Sequence, residues 1–535
     1  MQTAPQRTNH ASTSLPELAG AGESPRKGRS LRLIVVPTFV AIVVAGLAAG
    51  CSRVEPEPHP LSVVLITVDT LRSDRLGVYG YAAAKTPAID ELASEGALFE
   101  DVYCDIPWTT ASMASMMTGL FSTEHGLQAP WLRLPDDQLT IAEVFQSEGY
   151  QTGAVVGIFS LDAVYGLDQG FDSYDDDFSL PAVILPDAAP MEHIELEISD
   201  GPQEFVRRTE AKLHNDAYKD DAEVTDNALE WLNENIGGPF FLWAHYFGPH
   251  ERLVFSKDAY DNKTRMIREY DGDLARTDVA IGRLLKGLDD LDLRSNTLVV
   301  LSSDHGQTLG ERNTVGHGRD LYEPEVRIPL LVRLPSRVEA GIRLPQVVRS
   351  IDIFPTILDY AGIDPPDHVT GLSVRNLIDG EEQQERLAFM DLNVIMPTLL
   401  DDDDGNHFFG GAHFQALRKG NWKLVTAELA PGCWEGGGEV EWTFLGIDPK
   451  GRKGAVRLPD ERCSDHGFAR LFDVTQSGPR LARENQDETS RQVALKHSMD
   501  AMLAKIASRK GEAESFELSP EQKRKLKSLG YLQDE

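Results

Sequence analysis

Several apolar runs in this chain show no polar alternation. Residues 63–68 (VVLITV), 154–156 (AVV), 240–244 (FFLWA) and 297–301 (TLVVL) have no side suited to water. A strand wet on one face alternates polar with apolar residues. A run that does not alternate reads as buried on both faces, as in a parallel sheet covered by helices. Helical patterns lie between these runs. Thr86-Pro87 can open one, with Thr86 as N-cap and Pro87 at the first helical position. Ile89, Leu92 and Ala93 give its buried face, and Gly96 is its expected terminator. Residues 270–288 form a second, amphipathic pattern that leads into the strand before Asp304. Alternating strands and helices imply a doubly wound α/β sheet.

In such sheets ligands bind beyond the carboxyl ends of the strands. Asp69 follows the first apolar run and Asp304-His305 follows the last, so both fall there. Two carboxylates and an imidazole can hold one divalent cation. Zn²⁺, Mn²⁺, Mg²⁺ and Ca²⁺ all fit hard oxygen donors, and the imidazole favours Zn²⁺ or Mn²⁺. Thr109 precedes a helix-forming run, ASMASMMTG, expected to start near Ala111. Its hydroxyl can act as N-cap, as a fourth ligand and as a nucleophile on an anionic ester. The chain carries a net charge of −33, which argues against nucleic acid as a partner, since phosphate binding needs clustered Lys and Arg. So acidic a body repels anionic substrates, and a bound cation is the expected source of local positive charge.

Three segments together resemble the sulfatase family of the alkaline phosphatase superfamily. TVDTLRSDRLGVYGY with KTPAIDELASEGALFEDVY is similar to its first metal-binding strand and helix, and SSDHGQTLGERNTVGHGRDLYEPEVRIPLLVRLP to its second metal segment. RSIDIFPTILDYAGI, GLSVRNLIDG, ALRKGNWKLV and LFDV extend the likeness over most of the chain from about Leu61. The resemblance implies an alkaline-phosphatase-like, mostly parallel doubly wound sheet over residues 61–380. A smaller C-terminal α+β subdomain, with an antiparallel sheet and a terminal helix, would occupy 381–535. It implies one divalent metal held by Asp69, Asp304, His305 and Thr109. His125, His245 and His317 are then catalytic candidates beside Thr109, and Arg72, His250 and Arg319 are candidates for contacting the substrate.

The chain departs from the family pattern at informative places. Thr70 stands where many sulfatases carry a second carboxylate. The family motif has Cys or Ser, oxidised to formylglycine, with Pro and Arg downstream; here those positions are Thr109, Ala111 and Met113. Formylglycine is therefore not expected, and Cys104 in CDIPW lacks the pattern to replace it. Phosphotransferases and phosphodiesterases of the superfamily use Thr itself, which points to phosphate or phosphonate esters as well as sulfates. Two other functions compete. Transfer of a phospho-group to an envelope glycan or lipid usually goes with several membrane spans, and this chain has one apolar segment. A surface ligand-binding lipoprotein without turnover would not need Asp69, Thr109, Asp304 and His305 together.

The first 50 residues read as a targeting segment. Arg26, Lys27, Arg29 and Arg32 precede an apolar stretch over 33–50, and LAAGC places Cys51 where a bacterial lipoprotein is acylated. An uncleaved anchor and plain secretion are the alternatives; all three put residues 61–535 outside the cytoplasm, and the first two tether them to a membrane. Residues 51–60, CSRVEPEPHP, form a linker. Cys433 and Cys463 form a candidate disulfide, with two free thiols as the alternative. Residues 179–221 read as an insertion or lid, residues 414–417 and 422–425 as strands of a small antiparallel sheet, and the basic stretch from Ser519 as a helix packed on the body. The carboxylates at 401–404 read as a solvated loop. The natural ester and the oligomeric state have no signature in the sequence.

Overall fold

The computed structural model describes residues 60–528, apart from 130–131, 179–216, 251–262, 312–314, 383–384, 402–406, 430–467, 475–479, 482–485, 510, 512 and 517. Cys51, the linker, Cys433, Cys463 and nearly all of the 179–221 insertion lie outside these residues. No helix among the described residues is long and apolar enough to cross a membrane.

An eight-stranded sheet forms the centre of the molecule. Its strands are β1 (Ser62–Val68), β2 (Ala97–Tyr103), β3 (Gln151–Val156), β4 (Ser173–Asp175), β5 (Phe240–Tyr246), β6 (Thr297–Ser303), β7 (Arg327–Arg333) and β8 (Ile342–Arg349). They lie side by side in the order β8-β2-β7-β6-β1-β5-β3-β4. Every neighbouring pair is parallel except those involving β7, which runs against β6 and β2. All seven residues of β1, β5 and β6 are buried, which accounts for their lack of alternation.

Odd and even positions of those strands feed two separate apolar cores. Val63 and Leu65 point into one together with Trp243 and helix α2 (Thr109–Thr118); Val64 and Ile66 point into the other, against α1 (Pro87–Ser94) and α5 (Lys263–Asp290). Helices α3 (Ile141–Ser147) and α4 (Asp221–Asn235) cover opposite faces of the same sheet. The expected burial of Ile89, Leu92 and Ala93 on α1 is observed. The cap of α1 is not the expected one, because the Thr86 hydroxyl accepts from no backbone N–H of the helix and instead donates to the Asp90 side chain. Asp278, on α5, instead accepts from the backbone N–H groups of Ala88 (3.1 Å) and Ile89 (2.9 Å). A carboxylate from a packed neighbour thus satisfies the donors that a local cap would have taken.

Beyond β8, helix α6 (Ile353–Ala361) returns to the first core. A second, five-stranded sheet follows: β9 (Ala388–Asp401), β10 (His407–Lys419), β11 (Trp422–Leu429), β12 (Phe468–Asp473) and β13 (Arg480–Leu481), each antiparallel to the next. Helix α7 (Gln486–Ala507) lays Leu495, Met499 and Ile506 on this sheet's Leu417, Leu424 and Leu471. Helix α8 (Pro520–Ser528) buries Leu526 in the main core and sets the Lys525 ammonium 5.2 Å from the centre of the Phe159 ring. The C-terminal helix therefore packs back on the body as its sequence suggests.

Candidate active site

Strands β5, β1 and β6 are adjacent and parallel, so their carboxyl ends open at one edge. His245 stands on the last turn of pleat in β5, Asp69 directly follows β1, and Asp304-His305 directly follows β6. Asp69, Asp304 and His305 are wholly buried, and one donor atom from each lies within 4.8 Å of the others. The backbone holds this group rigidly. Asp304 Oδ1 accepts from the N–H groups of Thr70 (3.0 Å) and His305 (2.7 Å). Thr70 reaches it only by adopting a left-handed backbone with φ of 54°, a conformation that costs a non-glycine residue about 1 kcal/mol or more. His305 Nδ1 lies 2.9 Å from the Gly306 carbonyl. A carbonyl can only accept, so Nδ1 carries the proton and Nε2 presents a lone pair.

The remaining oxygens of the group are conspicuous by their lack of donors. Both carboxylate oxygens of Asp69 and Oδ2 of Asp304 are buried with no hydrogen-bond partner among the described residues. Burial, and then the facing Asp304 charge, push the Asp69 carboxyl well above its ordinary range. Stranding carboxylate oxygens in an apolar interior is among the costliest arrangements a protein can make, unless a cation shares them. The donor set of three orphan carboxylate oxygens and an imidazole lone pair therefore fits a divalent metal.

Thr109 lies on the other wall. Helix α2 starts at Thr109 itself and not near Ala111, because extended Trp108 supplies the first helical acceptor, to Ser112 N–H at 2.8 Å. Thr109 is thus the first helical residue, not the N-cap, and its hydroxyl is turned toward the metal group: Oγ1 lies 3.2 Å from His305 Nε2. Ser112, one turn on, donates to the Asp304 carbonyl at 2.6 Å and fixes the helix against β6. All ten residues of α2 are buried, and its N-terminus directs the positive end of the helix dipole into the site. Met113, where the family motif has Arg, is fully buried in the apolar core. Gly119 ends the helix at φ of 67°, and a Cβ there would come within 2.7 Å of Val369. Gly306 likewise lets the 323–326 turn press on the metal loop, since a Cβ would sit 2.2 Å from the Pro324 carbonyl.

The other candidates separate into two groups. His317 and His250 join the site: His317 stacks on His305 with ring centres 4.3 Å apart, and its Nε2 lies 3.3 Å from His250 Nε2. Burial, and then the neighbouring imidazoles His305 and His250, hold the His317 pKa well below its usual value. Arg319 is half-buried and close enough for its charge to add to that depression. His245 is fully buried and kept neutral, its pKa pushed down to about 4 by burial. Its Nδ1 is 2.8 Å from the Thr67 hydroxyl, and its Nε2 has no partner among the described residues.

His125 and Arg72 are placed differently from their sequence assignments. Both nitrogens of His125 are engaged away from Thr109: Nδ1 accepts from Leu127 N–H (3.2 Å) and Nε2 lies 2.9 Å from Ser115 Oγ. Ser115 in turn donates to Asp105, a buried carboxyl raised to about 7 by desolvation. His125 therefore braces the back of α2. Arg72 spends its guanidinium on Asp74 (2.8 and 2.7 Å), the Gln307 carbonyl (3.0 Å) and Glu311 (3.2 Å), which leaves it committed to the protein. Sequence reasoning missed Thr67, Trp243 and Ser303. Ser303 Oγ ties β6 to β1 through the Val68 carbonyl (2.7 Å) and Leu71 N–H (2.9 Å). The only signal for these was a polar residue or an indole inside, or just past the end of, a doubly buried run. Cys104 is buried and free, with its thiol pKa raised by burial.

A mixed, mostly parallel sheet with a buried Asp-Asp-His group and a hydroxyl at the carboxyl ends of its strands defines an alkaline-phosphatase-like ester hydrolase. The chain belongs to the sulfatase family: the model of that family, described as Sulfatase, matches residues 62–363. Members hydrolyse sulfuric esters and generally use a divalent metal, which the Asp69, Asp304 and His305 group can hold. Among curated relatives, an ulvan-active sulfatase of Formosa agariphila is 27% identical over 375 residues, covering 65% of this chain and 73% of its own. Arylsulfatase K of Mus musculus is 25% identical over 447 residues, covering 74% and 76%. Solved structures sharing the fold include a 2-O GAG sulfatase, with a TM-score of 0.61 at 15% identity over 86% of this chain and 95% of that one. A phosphonate monoester hydrolase from Silicibacter pomeroyi has a TM-score of 0.57 at 18% identity, over 83% and 96%.

Proposed function

We propose that this sulfatase-family hydrolase attacks its ester with the unmodified Thr109 hydroxyl, with one divalent ion, Zn²⁺ or Mn²⁺, held by Asp69, Asp304, His305 and Thr109. The observation that carries this reading is the placement of Thr109 Oγ1, 3.2 Å from His305 Nε2 and beside three buried carboxylate oxygens without donors. A bound cation would supply the positive charge that lowers the hydroxyl pKa and offsets the ester's negative charge. Thr109 Oγ then bonds to the central sulfur or phosphorus as the bond to the leaving oxygen breaks. The hydroxyl proton goes to solvent, the leaving oxygen is protonated, and water cleaves the Thr109 ester to restore the hydroxyl. The N-terminus of α2 steadies the anion throughout. His245, His250 and His317 line the same edge and supply hydrogen bonds to the ester; Arg319 adds charge beside them.

A threonine nucleophile suits phosphate or phosphonate monoesters and diesters as well as sulfates, and two solved neighbours are phosphonate monoester hydrolases by name. The basic and apolar N-terminal segment ending in Cys51 supports an exported enzyme tethered to the cell envelope. The test is a panel of aryl sulfate, phosphodiester and phosphonate monoester substrates, assayed with wild type and Thr109→Ala under metal saturation. Turnover of at least one class that disappears in Thr109→Ala, with metal binding retained, supports the reading. Equal turnover by Thr109→Ala refutes it.

A further inference from the structure

Thr67, Trp243 and His245 form a relay that no sequence motif announces. Thr67 on β1 pairs in register with His245 on β5, and Trp243 lies two residues earlier on the same face of β5. Trp243 Nε1–H donates to Thr67 Oγ1 at 2.8 Å, and Thr67 Oγ1 lies 2.8 Å from His245 Nδ1. All three residues are fully buried. An indole nitrogen can only donate, so one lone pair of the Thr67 hydroxyl is taken. If His245 Nδ1 also donated to that oxygen, the hydroxyl proton would be left buried with no acceptor. That state is disfavoured by about tenfold or more. In the alternative Thr67 and Nδ1 satisfy each other, and one group is left open where the first arrangement leaves two: Thr67 donates to Nδ1, and the ring proton sits on Nε2.

That Nε2–H is buried and has no acceptor among the described residues. Its ring is within electrostatic reach of Asp304, His305 and His250, and it lies on the same sheet face as Trp243, which α2 covers. We infer that Thr67 and Trp243 are positioning residues that lock His245 as a neutral Nε2–H donor to an oxygen of the bound ester. This rests on the ester-hydrolase reading of the site, and it assigns His245 a fixed hydrogen bond and not a cationic acid.

The test uses the full chain in detergent, metal-loaded and labelled with ¹⁵N-histidine. The wild type should show a proton coupled to His245 Nε2 and a bare Nδ1, and the Nε2–H signal should move on adding inorganic phosphate. Thr67→Val should abolish the single-tautomer pattern and lower kcat about tenfold with a smaller change in KM, comparable to losing an outer-shell partner of an active-site imidazole. Thr67→Ser should restore both. A proton on Nδ1 in the wild type, or a Thr67→Val protein with unchanged spectrum and kcat, overturns the inference. If the ester-hydrolase reading itself fails, the tautomer is still read from the spectrum while the phosphate response is absent.

Discussion

Asp69→Asn separates the two roles of the buried carboxylate pair. In the metal-free protein Asp69 faces Asp304 at no more than 4.8 Å between ligand atoms, and neither of its oxygens has a donor to lose. At an effective dielectric of about 20 the repulsion between two such charges is about 3 kcal/mol. Asparagine removes it and adds an N–H₂ group within reach of the orphan Asp304 Oδ2. The metal-free variant is therefore expected to be more stable than metal-free wild type at pH 7.5, by up to about 3 kcal/mol. Saturating metal reverses the order. At a thousandfold excess over Kd it adds about 4 kcal/mol to the wild type, and far less to a variant that has lost a carboxylate ligand.

The pH dependence has a definite sign. The folded Asp69 pKa is raised above its unfolded value of 3.8, so the folded state binds the extra proton. Through this group metal-free wild type loses stability as pH rises from about 4, and Asp69→Asn removes that share of the slope, leaving the share of Asp105. Denaturant titrations with chelator and with Zn²⁺, at pH 5 and 7.5, read all of these terms. A metal-free variant less stable than metal-free wild type, or equal gains from Zn²⁺ in both, would refute the reasoning.

Other expectations follow from groups held neutral or fully paired. His245 and His125 have folded pKa values pushed to about 4 and about 3 by burial, so their contribution is complete above pH 6.5 and lost as pH falls below it. Urea midpoints of the metal-loaded protein should fall between pH 6.5 and 4, and His125→Gln should flatten part of that limb. Arg72→Ala leaves Asp74 and Glu311 without their cation. Asp74 is largely exposed, so the loss should be moderate, about 1–3 kcal/mol, and visible in unfolding midpoints before any change in KM. Cys104 should resist alkylation in the native state and react on unfolding, as peptide mass mapping would show, since its thiol is buried with a raised pKa.

The parallel sheet was legible because burial on both faces erases alternation, and β1, β5 and β6 show that directly. The metal group was legible because Asp69 and Asp304-His305 end those runs. What escaped was hydrogen-bond geometry across distant segments. Asp278 caps α1 from 190 residues away, and no local pattern at Thr86 could reveal it. His125 and Arg72 matched motif positions, but a motif does not say which way a ring or guanidinium turns. Ser115 and Asp74 decide that. Thr67 and Trp243 read as strand filler until the pairing register set them against His245.

The chemical state of Thr109 is the point on which the account turns. Mass spectrometry of the 101–120 peptide, from resting protein and from protein acid-quenched during turnover, measures it directly. An unmodified threonine at rest, carrying the sulfo or phospho group of the substrate after the quench, is the predicted result. An oxidised residue 109, or the transferred group on any other side chain, would contradict it.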